Sequence, residues 1–252
     1  MYNRPYLKAK GVPLRKLLVI ISIFLVSYQT ASAKSIFDEY STKILQINGR
    51  NAIIKNSDNI VLGSTGIVTH TFENGVSTIV AAAKVIKTDN DKATIRFEVF
   101  KQSAQAAFPK PGILPEIGDK VTLNYLYNRA LIVAPNYKVY KEVTEHFKQI
   151  DWVHPDIVAA YLAKIFRPNP NKEIFEKICR VNSAGIIFFA LNNYGYFVDC
   201  NNFKVLKKVK TGHIKNIQVP FYSRVQGVET SWTKWGSSDI ADYNTYYMNL
   251  IR

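Results

Sequence analysis

Over residues 44–134 short apolar stretches alternate with turn-forming residues, and that rhythm leaves few folds open to the chain. Residues 44–47 and 52–55 flank Asn48-Gly49, a dipeptide that tolerates positive φ at both positions and so closes tight hairpins. Residues 66–72 and 77–86 flank Glu73-Asn74-Gly75, a second hairpin signal. Asp89-Asn90-Asp91 then turns the chain into residues 92–100. There Ala93, Ile95, Phe97 and Val99 fall on one face, with Lys92, Thr94, Arg96 and Glu98 on the other. A period of two means one face is buried and one is wet. After a Pro/Gly loop at residues 109–115, Gly118-Asp119 opens residues 120–127, and a turn at Asn128 leads into residues 130–134. This series of short strands predicts a small barrel or sandwich.

The second half changes period. Asn136 is the expected N-cap of a helix over residues 137–150, with Val139, Val143, Phe147 and Ile150 on one face. Pro155 suits a first helical position and opens residues 156–166. Pro168-Asn169-Pro170 breaks the chain before a third helix over residues 172–181. Residues 186–191 are apolar throughout, the pattern of a central strand buried on both faces. Strands over residues 194–200 and 203–210 follow, then a weakly patterned helix over residues 240–251. The expected class is α+β. Residues 34–135 read as a barrel or sandwich unit, and residues 136–252 as a helical segment with a second small antiparallel sheet.

The first 33 residues stand apart. Arg4, Lys8, Lys10, Arg15 and Lys16, with no acid, precede an apolar stretch at residues 17–26 and then Ala31-Ser32-Ala33. That order reads as a secretory signal cut between Ala33 and Lys34. Its apolar run is half of the roughly 20 residues a spanning helix needs, so the mature chain is expected outside the cytoplasm with no transmembrane helix. There, Cys179 and Cys200 form a candidate disulfide, the alternative being two separate buried thiols.

Charge narrows the partner. The 33 basic residues outnumber the 19 acidic ones, a net +14. Removing the five basic residues of the signal leaves 28 against 19, or +9. An exported protein meets little nucleic acid, so the expected partner is an acidic protein or an anionic envelope surface. No acid occurs between Asp199 and Glu229, whereas Lys204, Lys207, Lys208, Lys210, Lys215 and Arg224 do. On a strand over residues 203–210, Lys204, Lys208 and Lys210 are expected to share a face. With Lys215 and Arg224 they form a candidate binding patch, although lysines also guard edge strands against aggregation. Phe221, Tyr222, Trp232 and Trp235 are candidate interface aromatics, or else core residues.

Catalytic signatures are absent from the sequence. Gly63-Ser64-Thr65-Gly66 lacks the spacing and lysine of a phosphate loop, and no serine lies in a G-x-S-x-G frame. The histidines sit far apart, with no Cys/His cluster at zinc spacing. Glu142, Glu145 and His146 read as a solvated helix face among lysines. No cofactor or metal is expected, and binding rather than catalysis is the predicted work.

A resemblance extends this reading. The carrying residues are Gly66-Ile67-Val68, the run from Gly118 to Asn124, Tyr127-Asn128-Arg129, Ala134-Pro135-Asn136, Val153-His154-Pro155-Asp156, Ala159-Ala160-Tyr161-Leu162 and the run from Phe221 to Val225. Over roughly residues 40–250 the chain resembles the N-terminal domain of plasminogen-binding proteins of Helicobacter, Campylobacter and related bacteria. The resemblance implies an envelope or surface protein that binds host plasminogen, whose kringle domains take a lysine ammonium in a slot flanked by acids and aromatics. Because this sequence ends in Arg252, an internal lysine beside an acid, as at Lys141–Glu142 or Lys172–Glu173, is the implied substitute for a C-terminal lysine. The alternative, from a different class, is a periplasmic structural or adaptor component of an envelope assembly such as the flagellar motor.

Overall fold

The computed structural model describes residues 35–100, 112–228 and 238–252. Its first six strands are β1 (Tyr40–Asn48), β2 (Asn51–Lys55), β3 (Thr65–Thr71), β4 (Ser77–Thr88), β5 (Lys92–Glu98) and β6 (Lys120–Leu123). They close into a barrel in the order β1-β2-β5-β4-β3-β6, and every pairing is antiparallel. The hairpin residues work as their chemistry dictates, with one shift. Asn48 pairs with Asn51, so the first turn is Gly49-Arg50, and Gly49 takes the positive φ of 59°.

The barrel interior is narrow because its lining is small. Ala52, Ala81, Ala83 and Ala93 alternate with Ile44, Ile54, Val68, Val85, Ile95, Val121 and Leu123. These buried side chains form the core of the barrel. At Gly66 the β3 and β6 backbones close tightly: an added Cβ would stand 2.1 Å from the Thr122 carbonyl oxygen.

The second sheet has the order β11-β10-β9-β7-β8, from β7 (Arg129–Val133), β8 (Asp151–Val153), β9 (Ile186–Leu191), β10 (Tyr194–Asp199) and β11 (Val205–Lys210). It is antiparallel from β9 to β11. It departs from the expected antiparallel pattern at β7, which runs parallel to both β8 and β9. The sequence reading placed β7 with the barrel strands. Four of its five residues are buried, as an inner strand covered on both faces requires.

Helices cover both faces. Even-numbered Ala130, Ile132, Ile186, Phe188 and Ala190 pack with Val143 of α1 (Tyr137–His146). Odd-numbered Leu131, Val133, Ile187, Phe189 and Leu191 pack against α2 (Pro155–Ile165), α3 (Lys172–Val181) and α4 (Tyr243–Leu250). Every residue of β9 is buried, as its unbroken apolar run predicts.

The helix starts follow their caps. Asn136 accepts from the Val139 N–H at 2.9 Å, Asn171 from Ile174 at 3.0 Å and Asp242 from Thr245 at 2.6 Å. α1 ends at His146, short of the expected residue 150, because Phe147 leaves helical geometry and the chain turns into the three-residue strand β8. Cys179 on α3 is bonded to Cys200 just beyond β10, which ties a helix to the end of an inner strand. The described residues from Ser35 to Arg252 form one compact unit.

Candidate functional site

The buried polar centre of the molecule is built around Asp199, at the end of β10 and wholly buried. Its Oδ2 accepts from the Thr65 and Tyr127 hydroxyls, both at 2.6 Å, and its Oδ1 from the Asn201 and Asn202 backbone N–H groups, both at 2.9 Å. The Thr65 backbone N–H donates in turn to the Tyr127 hydroxyl oxygen at 2.8 Å. Burial pushes the Asp199 carboxyl up while these hydrogen bonds pull it down. Burial, then the Asp199 charge, lifts the Tyr127 phenol well above its usual range.

The Asp199, Tyr127 and Thr65 side chains are buried, so their hydrogen bonds are made within the protein. The cluster joins barrel strand β3 to the turn that launches β11, and it is architecture. Beside it lies a cavity of about 40 Å³ lined by Thr65, Gly66, Glu98, Tyr125 and Asn201 among others. That is far below the roughly 300 Å³ at which small-molecule sites begin.

The candidate basic residues sit elsewhere, on two surfaces. β11 is the edge of the second sheet, and Lys207, Lys208 and Lys210 are exposed on it. The Lys208 ammonium stands 3.5 Å from the Tyr194 ring centroid and 5.6 Å from that of Tyr196, a cation–π arrangement. The expected shared face of Lys204, Lys208 and Lys210 needs correction. Lys204 precedes β11, its side chain lies across Gly63, and Leu206 is an extra residue in the pairing with β10. That bulge shifts the alternation, so Lys204 is out of phase with the other two.

The second surface forms where residues 214–225 pass the start of α1. Tyr247 donates to the Pro220 carbonyl at 2.8 Å, Gln218 N–H to Pro135 and Tyr222 N–H to Ala134, both at 2.7 Å. Asn136, while capping α1, also donates to the Lys215 carbonyl at 2.9 Å. Phe221 corrects the interface expectation: it is 0% exposed and belongs to the core. Anchoring Phe221 positions Tyr222 and Arg224 on the surface. Trp232 and Trp235 lie outside the described residues, as do Ala31, Ala33 and Lys34.

Tyr222 packs against Tyr137 and Tyr140, each at 5.5 Å between ring centroids, and Tyr140 against His154 at the same distance. Arg224 donates from Nε and Nη2 to Asp156 Oδ2, both at 2.7 Å, and from its backbone N–H to Oδ1 at 2.9 Å. Burial would raise the Asp156 carboxyl, but the Arg224 backbone and guanidinium outweigh it and hold it below its usual value. Burial also raises the Tyr140 phenol, followed by the neighbouring Tyr222.

The structure thus divides the candidate patch. Lys208 and Lys210 lie on the β11 edge, whereas Lys215 and Arg224 belong to the segment beside α1. The sequence reading missed Tyr137, Tyr140, Asp156, Tyr194 and Tyr196 as members of these surfaces. Only Tyr137 and Tyr140, three apart on a helix, carry a local signal; the others meet through tertiary packing. Glu142 and Glu145 pair loosely with Lys138 and Lys141 at 3.8 and 3.7 Å on the exposed face of α1. Among the described residues no group of three or more His, Cys, Asp or Glu gathers as metal ligands, and no helix is long and apolar enough to cross a membrane.

Comparison with known proteins gives a consistent picture. The family described as plasminogen-binding protein pgbA N-terminal matches residues 39–251. Plasminogen-binding protein PgbA of Helicobacter pylori strain J99 is 27% identical over 172 residues, which cover 67% of this chain and 38% of the relative. PgbA of strain 26695 is likewise 27% identical over 172 residues, covering 37% of its own length. The match therefore spans less than two-fifths of these curated relatives.

Proposed function

Since the chain belongs to the plasminogen-binding protein pgbA N-terminal family, we propose that it is an exported envelope protein that captures plasminogen through lysine ammoniums presented on its surface. The family match over residues 39–251 carries this reading. The β11 edge supports it: Lys207, Lys208 and Lys210 are exposed there and have no acidic partner among the described residues. An ammonium free of an internal carboxylate can enter an acidic, aromatic slot without first breaking an ion pair. Lys208 already rests on tyrosine rings, so its transfer to a partner's aromatic slot exchanges one cation–π contact for another.

The test is plasminogen binding by the full chain with a lysine analogue titrated in. Saturating analogue should abolish binding; binding that persists overturns the lysine mechanism. Charge reversal at Lys207, Lys208 and Lys210 should weaken capture and flatten its salt dependence. Protease treatment of intact cells addresses location. Digestion fits surface capture, and protection returns the chain to the periplasmic adaptor reading.

A further inference from the structure

We propose that the Tyr137–Tyr140–Tyr222 face, with Arg224, is a docking surface for an acidic protein segment that carries apolar residues beside its carboxylates. The hydroxyls make the first argument. Tyr40, Tyr127, Tyr243, Tyr246 and Tyr247 each donate to a named oxygen. Tyr137, Tyr140 and Tyr222, gathered within 5.5–6.4 Å of one another, have no hydroxyl partner among the described residues.

Charge makes the second. The carboxylate at this cluster, Asp156, is already matched by Arg224, whose guanidinium side chain remains 69% exposed with donors to spare. Lys215 is exposed where the same segment passes Asn136, and it has no acidic partner among the described residues. Three phenols, a guanidinium and an ammonium form a donor-rich, cationic set, and such a set recognises carboxylate oxygens.

Apolar exposure makes the third. Tyr137 is 55% exposed, Ile157 beside Asp156 is 49%, and Ile217 and Val219 on the passing segment are 41% and 47%. A polyanionic sugar would satisfy the donors but leave these side chains wet. A purely apolar segment would bury the donors without partners. An acidic segment with interspersed apolar residues meets both needs, and aromatic residues with arginine are the usual anchors of such contacts. This surface reads carboxylates and is separate from the lysines offered on β11, so it stands independently of the plasminogen reading.

The experiment uses the full chain and a fluorescein-labelled synthetic peptide of Glu, Leu and Ser, followed by anisotropy with no plasminogen present. Wild-type protein should bind. Tyr137→Ala and Arg224→Ala should each weaken binding by about tenfold, and replacing either Glu by Gln or Leu by Ser in the peptide should have a comparable effect. Tyr137 is exposed and its hydroxyl unbonded, so Tyr137→Ala tests the face without threatening the fold. Binding that is absent, or unchanged in both variants, overturns the proposal. So does heparin binding of equal strength and equal dependence on Tyr137, which would assign the face to polyanions.

Discussion

Two tyrosine–aspartate constellations in this protein do opposite things with the same side chains. At the junction, Tyr127 and Asp199 are fully buried and bonded to one another; Thr65 shares the same Asp199 oxygen, and Asn201 and Asn202 take the other. Beside α1, Asp156 is bonded to Arg224 across 68 residues of sequence, while three tyrosine hydroxyls stand unbonded at a wet surface. A buried polar group must be satisfied internally or it costs stability, and the junction obeys that rule. A surface group can leave its bonds to water and later exchange them for a partner's. The difference separates what holds the fold from what is available for recognition.

The contrast breaks most visibly at Asp199. Asp199→Ala removes the acceptor for four donors and should cost about 3 kcal/mol, read as a lowered midpoint in urea unfolding. Replacing Cys179 and Cys200 together by Ser should cost a similar amount, about 3 kcal/mol on the chain-entropy model, since the bridge spans 21 residues.

A paired substitution sharpens the comparison. Tyr127→Phe orphans the Thr65 N–H and removes one of the two hydroxyl donors to Asp199 Oδ2, and should cost about 2 kcal/mol. Tyr137→Phe should change stability by less than about 0.5 kcal/mol.

The two aspartates should also titrate in opposite senses. Asp156 is held low in the folded protein, so its contribution is complete at neutral pH and is lost as pH falls through its folded value, below the usual aspartate range. Hydrogen exchange at the Arg224 amide should lose protection only in that range. Asp199 is held high, so its titration favours the fold below the usual aspartate range, and that gain is lost as pH rises through its folded value. Asp199→Asn should remove that part of the pH dependence from the unfolding midpoint. Lys208→Ala should cost only about 0.5–1 kcal/mol, the worth of an exposed cation–π contact, read in the same urea unfolding.

Much of the fold was legible because it is written locally. The hairpin at Gly75, the cap at Asn136 and the unbroken run of β9 are short-range signals, and each occurs where the sequence places it. The candidate site was legible only in fragments. Tyr222 and Arg224 were singled out, yet Phe221 proved to be core, and Lys204 fell out of phase through a bulge that pairing with β10 creates.

The sequence by itself determined the periodicities, the turns and a cationic stretch free of acid, because each depends on residues a few positions apart. The tertiary structure alone decided that β7 enters the second sheet in parallel, that Thr65 meets Asp199 across 134 residues, and that Asp156 selects Arg224. Those choices are set by which faces can be buried together. That is a property of packed volume and satisfied hydrogen bonds, and no local pattern encodes it.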